Sequence, residues 1–389
     1  MEERFRFVFE HDRHEQSMKQ LCARFGISRE TGYVWLRRFH RSGPWGMGDL
    51  NRAPRHHPNQ TPLAIEAAVL ELRQAHMGWG PRKLKWRLER DCPGRDWPAT
   101  STIGEIIKRA GLVSPRKKRR KTEPYSQPLA HAVESNRVWC ADFKGWFRTG
   151  DGTRIDPLTI SDAWSRYLLR CQAVEKADTA RVRAIFEAAF RENGMPEIIR
   201  TDNGPPFASL AIGGLSRLAV WWIKLGIQPE RIQAGHPEQN GRHERIHRTM
   251  DEELLRGEDW RSQQRQMDTF RHDYNHLRPH EALDMETPAS VYQPSPRNYP
   301  DKVPEVQYPD QFQVRTVQGQ GHFRWKHHNV FLSQALWGEP VGLLPIEDGV
   351  FTIYFARVPL ARFDEKNGKI YRLPKYPRQI TPVSGSGPS

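Results

Sequence analysis

The hydrophobic pattern of this chain changes character twice, near residue 131 and again near residue 295, and each change narrows the folds open to it. Up to about residue 114 the apolar residues recur at helical spacing. From about 132, short apolar runs alternate with amphipathic helical stretches. After 295 only short runs of β-forming residues remain, separated by turn residues. This succession predicts a helical region, an α/β region with a mixed sheet, and a small all-β region, in that order. A length of 389 residues leaves room for several domains.

Charge follows the same division. The formal net charge is +14, and residues 1–131 carry 26 basic and 14 acidic side chains against 34 and 32 in the rest. The helical third is therefore the polyanion-binding part, with nucleic acid as the leading partner and a merely solvated basic surface as the plain alternative. The four cysteines, Cys22, Cys92, Cys140 and Cys171, include no C-x-x-C pair. That argues against a zinc knuckle and a disulfide framework and fits a reducing cytosol. No apolar run reaches the length of a membrane span, and Met1-Glu2-Glu3-Arg4 does not begin a signal peptide.

Residues 17–39 read as a helix-turn-helix. Leu21, Cys22 and Phe25 form an apolar face, Gly26 supplies the turn, and Ser28 caps a second helix, Arg29 to Phe39. That helix is expected to bury Gly32, Val34, Leu36 and Phe39 and to present Arg29, Glu30, Tyr33 and Arg37 to a major groove. Residues 43–61 read as a linker. A second helix-turn-helix or winged helix follows, with Ile65, Ala68, Val69 and Leu72 on one face, a turn at Gly78-Trp79-Gly80-Pro81, and helices over Arg82–Leu88 and Ile103–Ala110. The unbroken run Arg116, Lys117, Lys118, Arg119, Arg120, Lys121 repels itself, and DNA phosphates would satisfy it. The expected boundaries are 1–55 and 56–114 for the two helical domains, 115–131 for a basic linker, 132–295 for the α/β core, 296–383 for the β domain and 384–389 for a flexible tail.

In the core, strands are expected at Val138–Phe147, Pro157–Ser161, Tyr167–Ala173, Glu197–Thr201 and Ile227–Ile232. Helices are expected at Thr179–Glu192 and Leu218–Leu225, with a long one from near Glu238 past Leu255. In the β domain, Asp348-Gly349 and Asn367-Gly368 mark hairpins of a small antiparallel barrel.

Three acidic residues stand out against this frame. Asp142 closes an apolar run, Asp202 ends another at a turn, and Glu244 lies at the start of a helical stretch. Two carboxylates at strand ends and one on a helix are how a fold gathers oxygen ligands for Mg²⁺, and metal-held phosphates are what such a triad acts on.

Several separated motifs carry a family resemblance: Trp79-Gly80-Pro81-Arg82-Lys83, Asp142-Phe143-Lys144-Gly145, Ser165-Arg166-Tyr167, Thr201-Asp202-Asn203-Gly204, Gln239-Asn240-Gly241-Arg242-His243-Glu244-Arg245, and Tyr274-Asn275-x-x-Arg278-Pro279-His280-x-Ala282-Leu283. With them the chain resembles bacterial insertion-sequence transposases of the DDE type, whose catalytic domain is similar to retroviral integrases. The nearest likeness is to the insertion-sequence four-eighty-one group, related to the insertion-sequence three group, and it covers about residues 15–295. The resemblance implies an RNase H-like core and two Mg²⁺ ions with Mn²⁺ as a substitute, while the pattern after residue 295 points to an SH3-like barrel. It also implies metal ligation by Asp142, Asp202 and Glu244, with Asp142 shared between the ions. Retroviral spacing places 35 residues between the second Asp and the Glu, which points to Glu238; 41 residues precede Glu244. Glu244 is preferred because it follows Gln239-Asn240-Gly241, because Ala208–Ser216 reads as an insertion, and because Glu238 after Pro237 has its own reason to sit at a helix start.

The resemblance implies a DNA transposase that binds inverted-repeat ends and catalyses Mg²⁺-dependent strand cleavage and strand transfer as a dimer or higher multimer on double-stranded DNA, in the bacterial cytoplasm and nucleoid. Arg29, Tyr33, Arg37, Arg82, Lys83, residues 116–121, Arg245 and Arg248 are the candidate DNA contacts. A catalytically silent DNA-binding regulator and an RNase H-like nuclease without joining activity are the rivals. Asp162 reads as a turn or cap. His243 and His247 are read either as substrate contacts or as solvent-facing. His11-x-x-His14 with Cys22 makes only a weak metal cluster.

Overall fold

The computed structural model describes residues 2–49, 60–113, 129–209, 211–232 and 241–373. It divides into two compact units, Met1–Pro62 and Leu63–Ser389. The basic run 116–121, Glu238 and the tail 384–389 lie outside the described residues.

The first unit is three helices, α1 (Glu2–Asp12), α2 (Met18–Arg24) and α3 (Arg29–Ser42). Ser17 and Gln20 form a capping box at α2, and Ser28 caps α3 by accepting from the Thr31 N–H at 3.1 Å. Gly26 turns the chain between them at φ +63°, where a side chain would be strained. Phe7, Val8, Leu21, Cys22, Leu36 and Met47 make the core. Gly32 lets α3 approach closely, since a Cβ there would stand 2.8 Å from Cys22 Sγ and from Phe7 Cζ. Helix α1 carries Phe7 and was not anticipated from the sequence. Trp35 takes the inward place expected of Val34, edge-on to Phe7 at 5.5 Å.

The second unit opens with α4 (Leu63–Ala75), α5 (Pro81–Asp91) and α6 (Thr100–Arg109). Val69, Trp79, Leu84, Leu88, Trp97, Ile103, Ile106 and Ile107 form its core. No strand occurs among the described residues 60–113, so this is a plain helix-turn-helix rather than a winged one. It is seated on the α/β region that follows: Leu277 joins its core, Arg90 pairs with Glu286 at 3.0 Å, and Gly78 lies against the Glu253 carboxylate, which also pairs with buried Arg278.

The α/β region contains β1 (Val138–Phe143), β2 (Phe147–Arg148), β3 (Arg154–Ile155), β4 (Leu158–Asp162), β5 (Leu168–Gln172), α7 (Thr179–Asn193), β6 (Ile198–Thr201), α8 (Arg217–Lys224), β7 (Gln228–Arg231), α9 (Gly241–Glu253), α10 (Trp260–His272) and the short α11 (Pro288–Val291). Its sheet runs β5-β4-β1-β6-β7. β4 and β5 are antiparallel to their neighbours, and β6 and β7 are parallel to β1. This is the mixed sheet of an RNase H-like core. One face packs on α7 and α8 through Phe186, Phe190, Trp221 and Trp222, and the other on α9 and α10 through Ile246, Met250, Met267 and Phe270.

Two expected elements differ. The strand foreseen over Val138–Phe147 stops at Phe143. Gly145 at φ +99° turns the chain, and Phe147–Arg148 pairs with β3 as a separate hairpin. The helix foreseen past Leu255 ends at Glu253, because Gly257 passes so close to the Gln263 backbone that only glycine fits, and Asp259 caps α10 with its carboxylate on the Ser262 N–H.

The C-terminal domain is all-β: β8 (Gln313–Thr316), β9 (His322–Trp325), β10 (His328–Phe331), β11 (Pro340–Glu347), β12 (Val350–Phe355), β13 (Val358–Asp364) and β14 (Lys369–Arg372). An antiparallel sheet β14-β13-β12-β11-β8 and the β9–β10 hairpin enclose Trp325, Val341, Leu343, Ile353 and Phe363. Strand pairing among the described residues does not close into a ring. Leu215, Ala219, Val220 and Ile223 share this core, so α8 is buried on both sides. That is why Leu218-Ala219-Val220-Trp221-Trp222-Ile223 is apolar all round.

Candidate active site and nucleic-acid interface

The ladder between β1 and β6 pairs Val138 with Ile198 and Ala141 with Thr201. One residue further along each strand, Asp142 and Asp202 stand at adjacent parallel strand ends. The alternation of β1 fixes the side on which Asp142 lies. Trp139 and Ala141 enter the α7–α8 core while Val138 and Cys140 face the other way, and Asp142 follows the latter. Asp202 Oδ1 accepts the Gly204 N–H at 3.1 Å, and a Cβ on Gly204 would stand 2.9 Å from Asp202 Oδ2. Burial holds the Asp202 carboxyl above the usual carboxylate range, partly offset by that hydrogen bond.

Helix α9 lies against the same side of the sheet. His243, Ile246 and Met250 are buried, and His243 and His247 both reach Thr159, which lies opposite Asp142 on β4. Burial pushes both imidazoles down, His243 well below its ordinary value and His247 to about 4, where the Lys144 ammonium adds to the effect. Neither is solvent-facing: Thr159 Oγ1 lies 2.5 Å from His243 Nε2 and 2.8 Å from His247 Nε2. Sequence reasoning missed Thr159, whose only signal is a hydroxyl inside the apolar run Leu158–Ile160.

Glu244 is exposed, one residue round the helix from His243. Asp251, seven residues on, shares its flank and forms an ion pair with Lys144, two residues beyond Asp142. Among the described residues no three His, Cys, Asp or Glu side chains are gathered as a metal-ligating group, so Glu244 is not drawn onto the two aspartates here, and His11, His14 and Cys22 make no such cluster. Asp162 is a turn-former: it accepts from the Asn136 N–H, the Ser165 N–H and Ser165 Oγ.

On α3, Arg29, Tyr33 and Arg37 line one shallow open groove with Glu30, Leu36 and His40. Tyr33 is 52% exposed despite its apolar ring. Arg82, Arg245 and Arg248 are exposed. Lys83 is not. Burial lowers its ammonium to about 8, with Arg278 adding to the shift and Glu253 opposing it. Asn275 is a second residue whose place the sequence did not reveal. Its side chain donates to the Leu168 carbonyl at 3.0 Å and accepts the Leu168 N–H at 2.8 Å, clamping edge strand β5.

Family models agree with this layout. Residues 132–237 and 225–288 match integrase core domains, residues 3–55 a helix-turn-helix domain, and residues 31–107 a homeodomain-like domain. The chain is 28% identical over 248 residues to the insertion element IS407 uncharacterized 31.7 kDa protein of Burkholderia multivorans, covering 62% of this chain and 86% of that protein. It is 29% identical over 242 residues to the insertion element IS476 uncharacterized 39.2 kDa protein of Xanthomonas euvesicatoria, covering 60% and 67%. The chain thus carries an integrase core domain, and its likeness to these insertion-element proteins supports a bacterial insertion-sequence transposase with an integrase-like core. Its function is that of a transposase or integrase, and its helical domains are of the DNA-binding kind. Among solved structures, it is similar to the HTLV-2 integrase catalytic core in complex with magnesium (16% identity, TM-score 0.33, 41% of this chain and 99% of that one). It is also similar to a chain of the simian T-cell lymphotropic virus intasome with a PP2A regulatory subunit (15%, TM-score 0.35, 80% and 100%). No helix among the described residues of this integrase-core protein is long and apolar enough to cross a membrane.

Proposed function

We propose that this chain binds the inverted-repeat ends of an insertion element and carries out Mg²⁺-dependent DNA strand cleavage and strand transfer with Asp142, Asp202 and Glu244. The observation that carries this reading is the β1–β6 register, which brings Asp142 and Asp202 to the same end of two neighbouring parallel strands.

The donors suit a hard cation. Both strand-end groups are carboxylates. The half-buried Asp202 has the Gly204 N–H as its partner and a carboxyl raised by burial, a site where added positive charge is favourable. Asp142, Asp202 and Glu244 would hold the metal, Glu244 from the α9 flank it shares with Asp251. When bound, Mg²⁺ supplies charge stabilisation at the phosphate and a more acidic attacking hydroxyl.

The protein's own part is to bind and orient. Arg29, Tyr33 and Arg37 on α3 read the end sequence. Arg82, Arg245, Arg248 and the basic run 116–121 grip phosphates, and lose affinity steeply with salt. In the first reaction water breaks the phosphodiester at the element's end and leaves a 3′-hydroxyl. In the second, that hydroxyl oxygen forms a new bond to a target phosphorus as the target's own 3′-oxygen leaves, so bond energy is conserved without a covalent protein intermediate. Two ends must be held at once, so the active species is a dimer or larger multimer. The working division is 1–55 and 56–114 for DNA binding, 132–295 for chemistry and 296–383 for contacts to DNA or another protomer.

Labelled inverted-repeat ends and a supercoiled target test this. Joined product that requires Mg²⁺, formed by a complex that sizes as a multimer, is the expected result. Cleavage without joining would favour a nuclease, and binding without either a silent regulator.

A further inference from the structure

Thr159 is fully buried near the start of β4, between the core residues Leu158 and Ile160. Its hydroxyl meets three partners at once: His243 Nε2 at 2.5 Å, His247 Nε2 at 2.8 Å and the Asp142 carbonyl oxygen at 3.2 Å. Ser161 Oγ lies 3.3 Å from His243 Nδ1, and the two imidazoles stand edge to face at 5.0 Å and 89°. The site described above uses none of these groups as a ligand or a phosphate contact.

The hydroxyl has one proton and two lone pairs. The Asp142 carbonyl can only accept. Whichever partner receives the Thr159 proton, at least one imidazole must therefore carry its proton on Nε2 and donate it to Thr159 Oγ1. The network is directional, unlike the burial of Ile246 and Met250 beside it, whose driving force has no direction. Residues 243 and 247 lie one before and three after Glu244. Fixing both on a single oxygen fixes the rotation and height of α9 at the position of Glu244. The same oxygen touches the backbone of Asp142.

We propose that Thr159 is a positioning residue for strand cleavage and transfer: through His243 and His247 it fixes the rotation and height of α9 against β4, and with them the position from which Glu244 acts. This rests on the reading of Glu244 as a metal ligand. Valine has nearly the shape of threonine and lacks the hydroxyl, whereas serine keeps it.

The test compares full-length Thr159→Val, Thr159→Ser and Glu244→Gln with the parent protein. Three readouts are needed: Mg²⁺ affinity by calorimetry, joining of labelled ends, and ¹⁵N-edited imidazole spectra of the metal-free protein. In the parent, at least one of the two buried imidazoles should be protonated at Nε2, and its resonance should move in Thr159→Val. Thr159→Val should bind ends normally, weaken Mg²⁺ affinity about 10- to 100-fold, the range for lost support behind a metal ligand, and slow joining. Thr159→Ser should restore both. Parent-like Mg²⁺ affinity and joining in a folded Thr159→Val overturns the proposal. If that variant does not fold, His247→Phe replaces it, and unchanged Mg²⁺ affinity there overturns the proposal equally. Glu244→Gln separates the two layers. If it still joins ends, the ligand reading itself fails. If it is inactive while Thr159→Val is parent-like, only the positioning role fails.

Discussion

The two strand-borne carboxylates and the helix-borne one are placed by different physics. Asp142 and Asp202 are set by a parallel ladder whose register leaves no freedom, because a one-residue slip would turn Trp139 and Ala141 out of the core. Glu244 depends on how α9 seats: on two histidines meeting one threonine, on Ile246 and Met250, and on the Lys144–Asp251 pair. The strand end of the site is thus built by the fold, while the helix end is built by side chains and is the end that substitutions can shift.

Asp142→Asn strikes the strand end and should have the largest effect. Loss of Mg²⁺-dependent cleavage and joining of about 10²- to 10³-fold is expected, the scale set by removing a charge-stabilising group at the reacting centre, with end binding intact by mobility shift. Retained Mg²⁺-dependent cleavage would break the account of that end. Arg37→Ala touches neither end of the site. It should weaken end binding about tenfold, the cost of roughly 1.4 kcal/mol, and lower the salt slope by about one, leaving cleavage at saturating protein unchanged. Lys144→Ala removes one tie on the helix end. About a fivefold slower joining rate is expected, in line with the ~1 kcal/mol of a partly exposed ion pair; no change would show that the histidine seat suffices.

The smallest effect concerns stability. Burial raises the folded-state pKa of Asp202 above its unfolded value, so stability falls as pH rises through that window and the ionised group is a burden at neutral pH. Asp202→Asn should therefore melt about 1 °C higher than the parent in chelator at pH 7, the size expected for a half-exposed group in a chain of this length, and the gain should vanish at pH 3. A lower melting temperature at pH 7 would mean that Asp202 is stabilising.

The same contrast explains what the sequence made legible. The strand ends were readable because apolar runs closing on Asp142 and Asp202 have one reasonable meaning in an alternating α/β pattern. The capped helix after Ser28 and the Asp348-Gly349 and Asn367-Gly368 hairpins were readable from local chemistry, with Gly349 and Gly368 both at positive φ. The hairpin at Ala356, also at positive φ, carries no glycine or asparagine signal there and was not singled out. Long-range polar partners were opaque. Nothing local tells that Asn275 clamps Leu168, that Lys83 is partly buried within the field of Glu253 and Arg278, or that Thr159 receives two histidines. Each partnership depends on elements 80 or more residues apart meeting in space, and the motif around Asn275 and Arg278 was visible only as a pattern, without its purpose.

Joining of labelled ends by Glu244→Gln and Glu238→Gln, assayed side by side with Mg²⁺, bears most directly on whether the helix end completes the strand end. Glu244→Gln should abolish joining while Glu238→Gln keeps it near the parent rate. The reverse pattern, an active Glu244→Gln and an inactive Glu238→Gln, would contradict the account.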